Sequence, residues 1–234
     1  MPSRNELHKY QQRMINFIYT TPKCALWAGL GLGKTITTLT AIVDLIDSMV
    51  VSKVLIVAPL RVANSVWHVE AARWQHTKHL KFSIVTGSEK ERLAALHKTA
   101  DVYVINRENV SWIVEHYAKK WPFDMIVLDE ASSFKSSSSQ RFKSLRKTIP
   151  FTNRLVELTG TPSPNGLLDI WSQMYLLDCG ERLGRSMTAY KQRFFEAGYN
   201  GYSFKPVKSA DRIIHKLIDD IVISLNVDDY LEMP

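Results

Sequence analysis

The chain has 234 residues and 45% of them are hydrophobic, which suits a folded protein with a sizeable core rather than a disordered one. No apolar run approaches the roughly 18 residues of a membrane span, and the polar N-terminus lacks a signal-peptide pattern, so we expect a soluble intracellular protein without membrane contact. Two cysteines cannot build a disulfide framework. The net charge of +7 favours a polyanionic partner, which could be a nucleotide, a nucleic acid or an anionic lipid.

A glycine-rich loop over residues 28–35 lies between an apolar strand pattern at 24–27 and a helical pattern at 35–49. Its backbone N–H groups and the positive end of the helix can hold a polyphosphate, with Lys34 adding charge and Thr35 a magnesium ligand. The usual pattern starts with glycine, where this chain has alanine. A turn that merely caps the helix is the alternative. The glycines of the loop are Gly29, Gly31 and Gly33.

Strand and helix patterns alternate along the rest of the chain. The run at 53–59 is rich in β-branched residues and closed by proline, which is typical of a parallel strand buried on both faces. The alternation predicts an α/β fold with a doubly wound, mainly parallel sheet flanked by helices. Further strands are predicted at 82–85, 102–105, 125–128, 154–158 and 221–225. Helices are predicted at 62–75, 89–98, 108–119, 167–177, 186–197 and 210–219, after an amphipathic helix that ends at Tyr19.

Two further features concern packing. The helix predicted at 62–75 has an apolar stripe that we expect to be buried, and a helical insertion is predicted at about 180–219 with a turn at 199–202. Aromatic residues cluster from position 171 onwards, and core packing is favoured there over base stacking. The stripe consists of Val62, Val66, Val69 and Trp74. The cluster consists of Trp171, Tyr175, Tyr190, Phe194, Phe195, Tyr199, Tyr202 and Phe204.

Two carboxylates, Asp129 and Glu130, follow the strand predicted at 125–128. Ligands of open parallel sheets bind at the carboxyl ends of the strands, where these side chains would lie. Asp129 would hold magnesium, directly or through water, and Glu130 would polarise the attacking water, as phosphoryl transfer to water requires. An acidic helix N-cap is the alternative.

The next predicted strand, 154–158, delivers Thr159, Gly160 and Thr161 to the same edge of the sheet. Hydroxyls beside a flexible glycine can sense a phosphate; the alternative is an ordinary strand-to-helix turn with Asn165 as N-cap. Between these strands, residues 135–147 contain five basic residues and no acidic one. They form either a solvated face or a surface for phosphate-backbone contact.

The order and spacing of these segments resemble the first motor lobe of superfamily-2 helicases and translocases, in their Swi/Snf-like branch, over nearly the whole chain. Tyr10 and Gln11 match the family's adenine-recognition glutamine, and residues 28–35 match its first ATPase motif. Residues 129–132 are similar to its Asp-Glu-x-His box, with Ser132 replacing the more usual histidine. Residues 158–162 match the motif that couples hydrolysis to movement. The family also has a DNA-contact segment, which follows its first ATPase motif. It is matched by Pro59, Leu60, Trp67, Glu70 and Trp74.

The resemblance implies a RecA-like fold that uses ATP and Mg²⁺. It assigns Lys34 to the β- and γ-phosphates, Thr35 and Asp129 to the magnesium, Glu130 to the water and Gln11 to the adenine. It also implies double-stranded DNA as a partner, across two lobes. Surface charge is the alternative for the candidate DNA-backbone contacts, which are Arg61, Asn106, Arg107 and Lys135.

The whole chain, 1–234, is then one ATP-binding lobe, and we expect a second RecA-like lobe to be absent from it. The compact sequence is similar to bacterial or phage-encoded members, which implies a cytoplasmic location in a bacterial or phage-infected cell. An isolated lobe should be monomeric and weakly active, because the second lobe supplies the arginine finger.

Two other functions remain open from the sequence. A non-catalytic nucleic-acid-binding or interaction module could retain the nucleotide fold, although the intact Lys34 and Glu130 argue against it. A P-loop kinase would also use the phosphate loop, but it does not account for residues 159–162 or the basic segment. A coupled assay would reveal a kinase, because it consumes ATP only with an acceptor.

Overall fold

The computed structural model describes residues 1–164, 166–198 and 203–225. Seven strands form a parallel sheet in this part of the chain. They are β1 (Lys23–Ala28), β2 (Val54–Ala58), β3 (Phe82–Val85), β4 (Val102–Asn106), β5 (Met125–Asp129), β6 (Arg154–Thr159) and β9 (Val222–Leu225). Their order in the sheet is β3-β4-β2-β5-β6-β1-β9. The doubly wound α/β fold predicted from the sequence is confirmed.

Helices cover both faces of the sheet. The first is α1 (Lys9–Thr20), followed by α2 (Lys34–Asp47), α3 (Leu60–Ser65), α4 (Trp67–Arg73), α5 (Glu89–Leu96), α6 (Val110–Tyr117), α7 (Gln140–Arg146), α8 (Ile170–Asp178), α9 (Met187–Phe194) and α10 (Ala210–Ile218). The apolar residues form two clusters, one on each face of the sheet. The strands are buried from both sides, which explains why they read as continuous apolar runs. Within the described ranges, no helix has the length and apolar character needed to span a bilayer.

The segment predicted as one helix at 62–75 is two helices that meet at Val66, whose φ and ψ are −108° and −59°. The predicted stripe is correct only in part: Val62 and Trp74 pack half-buried against an apolar cluster, but Val69 is 39% exposed. The buried positions are instead Ala63, Trp67 and Ala71, spaced by four residues. All three side chains belong to one apolar cluster, together with residues of α2 and of the strands.

The predicted helix at 186–197 is wrong at its end. Its last helical residue is Phe194, and the next residues form β7 (Phe195–Ala197), which pairs antiparallel with β8 (Phe204–Pro206). The insertion therefore contains a two-stranded ribbon as well as helices. The turn predicted at 199–202 and the candidate N-cap Asn165 lie outside the described residues.

The aromatic cluster packs as core. Trp171, Tyr190, Phe194 and Phe195 are buried in the cluster beneath one face of the sheet. The rings of Tyr190 and Phe194 lie 5.3 Å apart, and the Tyr190 hydroxyl donates to the carbonyl of Leu167 at 2.7 Å. The described part of the cluster is thus explained by packing, and no face of these buried rings is available for base stacking.

Candidate nucleotide site

The phosphate loop follows β1 and ends where α2 begins, at Lys34. Gly31 and Gly33 have φ values of +83° and +70°, which L-residues with a side chain rarely adopt. A Cβ atom at Gly33 would contact Nε2 of Gln11 unless that side chain moved, and the positive φ would strain any residue with a side chain there. Gln11 thus lies against the loop, although it is a residue of α1.

The Gln11 side chain also has a structural task. Its Oε1 accepts a hydrogen bond from the backbone N–H of His8 at 2.8 Å, at the start of α1. The rings of His8 and Tyr10 stack with centroids 5.3 Å apart. The side chains predicted to recognise adenine are therefore held together beside the phosphate loop, and their contact with a base stays a prediction.

Lys34 is half-buried between the loop and the two carboxylates of the site. Its Nζ donates to the carbonyl oxygens of Ala28 at 2.6 Å and Gly29 at 3.0 Å. Burial lowers the pKa of this ammonium, and the charges of Asp129 and Glu130 oppose that shift. The ammonium of Lys34 is therefore close enough to both acidic residues to interact with their charges, and its contact with phosphates stays a prediction.

Asp129 is the last residue of β5, and burial raises the pKa of its carboxyl. A hydrogen bond from Trp67 opposes this shift: the indole Nε1–H donates to Oδ2 of Asp129 at 2.9 Å. Trp67 is fully buried, with an exposure of 0%. Trp67 belongs to the segment that resembles the family's DNA-contact segment, and its buried indole contacts the candidate metal ligand. The sequence carries one signal of this contact, the spacing of Trp67 between Ala63 and Ala71.

Glu130 has a left-handed backbone, with φ 62° and ψ 58°. Its Oε1 accepts hydrogen bonds from Ser132 Oγ at 2.9 Å and from Thr159 Oγ1 at 3.4 Å. Ser132, which replaces the usual histidine, thus contacts the carboxylate expected to polarise water. The left-handed conformation is uncommon for a residue with a side chain, and it costs conformational energy that the neighbouring contacts must offset.

The segment after β6 joins the carboxylates to the phosphate loop. Thr159 Oγ1 accepts a hydrogen bond from the backbone N–H of Thr161 at 3.1 Å, while its own hydroxyl donates to Glu130. Gly160 lies beside the loop, since a Cβ there would be 3.5 Å from the carbonyl oxygen of Ala28. Residues predicted to couple hydrolysis to movement therefore contact both halves of the site.

The four candidate DNA contacts lie at the carboxyl end of a strand, as Asn106 does in β4, or after one. Arg61 is exposed on α3. Asn106 is only 6% exposed and donates to Glu108 at 2.9 Å, and Arg107 pairs with the same carboxylate at 3.1 Å. Lys135 Nζ lies 3.8 Å from Oδ2 of Asp169. Three of the four side chains thus have partners within the chain, and their contact with DNA stays a prediction.

A parallel sheet with a phosphate loop after β1 and an Asp-Glu pair after β5 defines a P-loop protein of the RecA-like class. The family model described as SNF2-related domain matches residues 10–218, so the chain belongs to the SNF2-related domain family, the Swi/Snf-like branch of superfamily-2 helicases. The predicted resemblance is confirmed.

Similar proteins include putative protein p41 of Acyrthosiphon pisum secondary endosymbiont phage 1, which is 38% identical over 96% of this chain and 51% of its own length. The mouse DNA excision repair protein ERCC-6-like is 30% identical over 78% of this chain and 15% of its own length. The chain therefore spans about half or less of the length of these relatives.

Solved structures support the fold. The Sulfolobus solfataricus SWI2/SNF2 ATPase core in complex with dsDNA superposes with a TM-score of 0.77 at 21% identity, over 94% of this chain and 44% of that one. The Sulfolobus solfataricus SWI2/SNF2 ATPase core domain gives a TM-score of 0.71 at 22% identity, over 97% and 44%.

Proposed function

We propose that the chain is the ATP-binding lobe of a DNA translocase, in which hydrolysis of Mg-ATP drives movement on double-stranded DNA once a second RecA-like lobe completes the site. The observation that carries this proposal is the meeting of three strand ends. Strands β1, β6 and β5 are adjacent and parallel, with Trp27 paired to Thr159 and Asp129 paired to Leu158. The phosphate loop, the carboxylate pair and the coupling segment therefore lie at one edge.

The residues at this edge fit ATP with magnesium. Gly33 has no side chain where the loop lies against Gln11, and a polyphosphate can replace the carbonyl oxygens that Lys34 Nζ now contacts. The described residues contain no group of three or more His, Cys, Asp or Glu side chains that could hold a metal. Proteins typically hold Mg²⁺ with one or two oxygen ligands together with substrate phosphates. Thr35 and Asp129 are the protein ligands that we propose.

Bound magnesium would neutralise charge that develops on the phosphates during transfer to water. Lys34 would hold the phosphates and shield their charge. Glu130 would accept a proton from the attacking water, and Ser132 and Thr159 would fix its carboxylate through Oε1. Because the Thr159 hydroxyl touches Glu130 and its segment touches the phosphate loop, movement of this segment would change both groups together.

DNA as the partner is supported by the family, by the superposed Sulfolobus ATPase core, which was solved in complex with dsDNA, and by the charge of +7. Arg61 is the candidate with an exposed side chain on the helix after β2, and we propose that it contacts the phosphate backbone. A second lobe would add an arginine finger worth on the order of 10³-fold or more in rate, so the chain alone should hydrolyse ATP slowly.

The test is the ATPase rate with and without double-stranded DNA, for this chain and for a version extended through a second RecA-like lobe. We expect strong stimulation by DNA in the extended protein and a slow, weakly responsive rate in the chain alone. If both bind ATP and neither responds to DNA, the translocase proposal fails in favour of an interaction module. If turnover requires an acceptor molecule instead, a P-loop kinase is the better description.

A further inference from the structure

Two buried indoles of this chain make hydrogen bonds of equal length to different kinds of acceptor. Trp171 Nε1 donates to the backbone carbonyl of Gly184 at 2.9 Å, in the C-terminal aromatic cluster. Trp67 Nε1 donates at 2.9 Å to the carboxylate of Asp129, the candidate magnesium ligand. The hydrogen bond of Trp171 stabilises a turn. The hydrogen bond of Trp67 reaches a residue of the nucleotide site from an indole that is buried away from solvent.

Trp67 is well suited to hold a carboxylate in one orientation. An indole N–H only donates, so it can neither bind a cation nor exchange a proton with its partner at any ordinary pH. Its side chain is fully buried between the sheet and α2, where packing removes its rotational freedom. Because the donor occupies Oδ2, it fixes the plane of the carboxylate and favours Oδ1 as the oxygen for a metal or its water.

The same indole lies on a segment that carries the exposed Arg61. Helix α4 begins at Trp67, and α3 ends one residue before Val66 and carries Arg61. The backbone hydrogen bonds continue through the junction between the two helices. The N–H of Val66 donates to the carbonyl oxygen of Val62 at 3.0 Å, and the N–H of Glu70 donates to the carbonyl oxygen of Val66 at 2.8 Å. A displacement of α3 would therefore reach Trp67 through a short, hydrogen-bonded connection.

We propose that Trp67 is a positioning residue that orients Asp129 for magnesium and joins the segment at Leu60–Arg73 to the nucleotide site. This inference rests on the proposed function, because it takes Asp129 to be a ligand of nucleotide-bound magnesium. Hydrogen-bond partners of metal ligands typically change metal affinity by about 10–100-fold when they are removed. Trp67 is such a partner.

The test is the magnesium dependence of nucleotide binding by the 234-residue chain, followed with a fluorescent ATP analogue. Trp67→Phe keeps an aromatic ring in the core and removes the donor. We expect the Mg²⁺ concentration at half-maximal enhancement of binding to rise by about 10-fold or more. Affinity for the nucleotide without Mg²⁺ should stay unchanged, which a general loss of structure would not produce.

The matched control is Trp171→Phe, which removes an equally buried indole donor from an acceptor outside the site. Its Mg²⁺ midpoint should equal that of the wild type. Equal midpoints for Trp67→Phe and the wild type would overturn the positioning proposal and leave the ATP site intact. If the wild type binds no nucleotide, the proposed function itself has failed.

A second measurement is made on the wild-type chain and uses a variant only to assign one resonance. In the wild-type chain, the six indole N–H resonances can be followed by NMR while Mg²⁺ is added to nucleotide-saturated protein. The Trp67 resonance, which is identified by its shift in Asp129→Asn, should move, and that of Trp171 should not. A stationary Trp67 resonance, with nucleotide bound and Mg²⁺ saturating, would contradict the proposal.

Discussion

The carboxyl edge of the sheet and the aromatic cluster around α8 and α9 use buried side chains in opposite ways. At the edge, hydrogen bonds link residues far apart in sequence, such as Trp67 with Asp129 and Thr159 with Glu130. In the cluster, rings pack against one another, as Tyr190 does with Phe194. Substitutions at the edge should therefore change the chemistry at little cost in stability, and substitutions in the cluster should do the reverse.

The largest expected effect is on turnover. Glu130→Gln removes the proposed proton acceptor and keeps the shape of the side chain. In a protein completed by a second lobe, we expect DNA-stimulated ATP turnover to fall by about 10²–10⁴-fold, the usual contribution of a general base. ATP binding and melting temperature should change little, and both can be measured on the same preparation.

Glu115→Gln is the control for this change, because Glu115 is exposed on α6, away from the strand ends that form the site. It should leave turnover at the wild-type rate. Survival of turnover in Glu130→Gln would show that another residue activates the water.

The aromatic cluster is tested by Phe194→Ala. The Phe194 ring is buried at 1% exposure, so its removal leaves a cavity and should lower the free energy of unfolding by about 3–5 kcal/mol. Chemical denaturation measures this loss. Nucleotide affinity should be unchanged at temperatures where the variant is folded.

Phe151 offers the comparison, since its ring is 51% exposed and Phe151→Ala removes few contacts. Its loss of stability should be much smaller. Reduced nucleotide affinity in folded Phe194→Ala would mean that the cluster and the site are not separable as described.

A smaller effect, on the pH dependence of stability, is expected from Glu157, which lies on β6 two residues before Thr159. Both of its carboxylate oxygens are buried without a hydrogen-bond partner in the described part of the chain, and burial raises its pKa well above 4.5. Above about pH 4.5 the unfolded chain releases the Glu157 proton, whereas the folded chain retains it. The free energy of unfolding should therefore fall as the pH rises, by at most about 1.4 kcal/mol per pH unit.

Glu157→Gln cannot ionise and should remove that part of the pH dependence. Melting temperatures between about pH 5 and pH 8 would show it, with the exposed Glu196→Gln as control. If the wild type and Glu157→Gln lose stability in parallel as the pH rises, then Glu157 does not retain its proton in the fold.

The elements of the fold were largely predictable because their signals are local. The apolar run at 53–59 became Val54–Ala58, and the strand predicted at 125–128 became Met125–Asp129. Parallel pairing then brings the ends of these strands to one edge, which is why the grouping of Lys34, Asp129 and Glu130 followed from the sequence.

What the sequence did not reveal depends on pairing in three dimensions. The contact of Trp67 with Asp129 joins residues 62 positions apart, and the predicted stripe included Val69, which is exposed, but not Trp67. The ribbon that begins at Phe195 follows a helical pattern directly, and its partner strand begins at Phe204. The spacing of hydrophobic residues alone does not show where a helix ends and a short strand begins.

The most direct measurement is the Mg²⁺-dependent binding of ATP to the wild-type chain and to Lys34→Ala, with the exposed Lys119→Ala as control. If the edge is a nucleotide site, the wild type and Lys119→Ala will bind a fluorescent ATP analogue with higher affinity when Mg²⁺ is present. Lys34→Ala will lose that binding while it melts like the wild type. Equal binding by Lys34→Ala and the wild type, or no binding by either, would contradict the assignment of the phosphate loop.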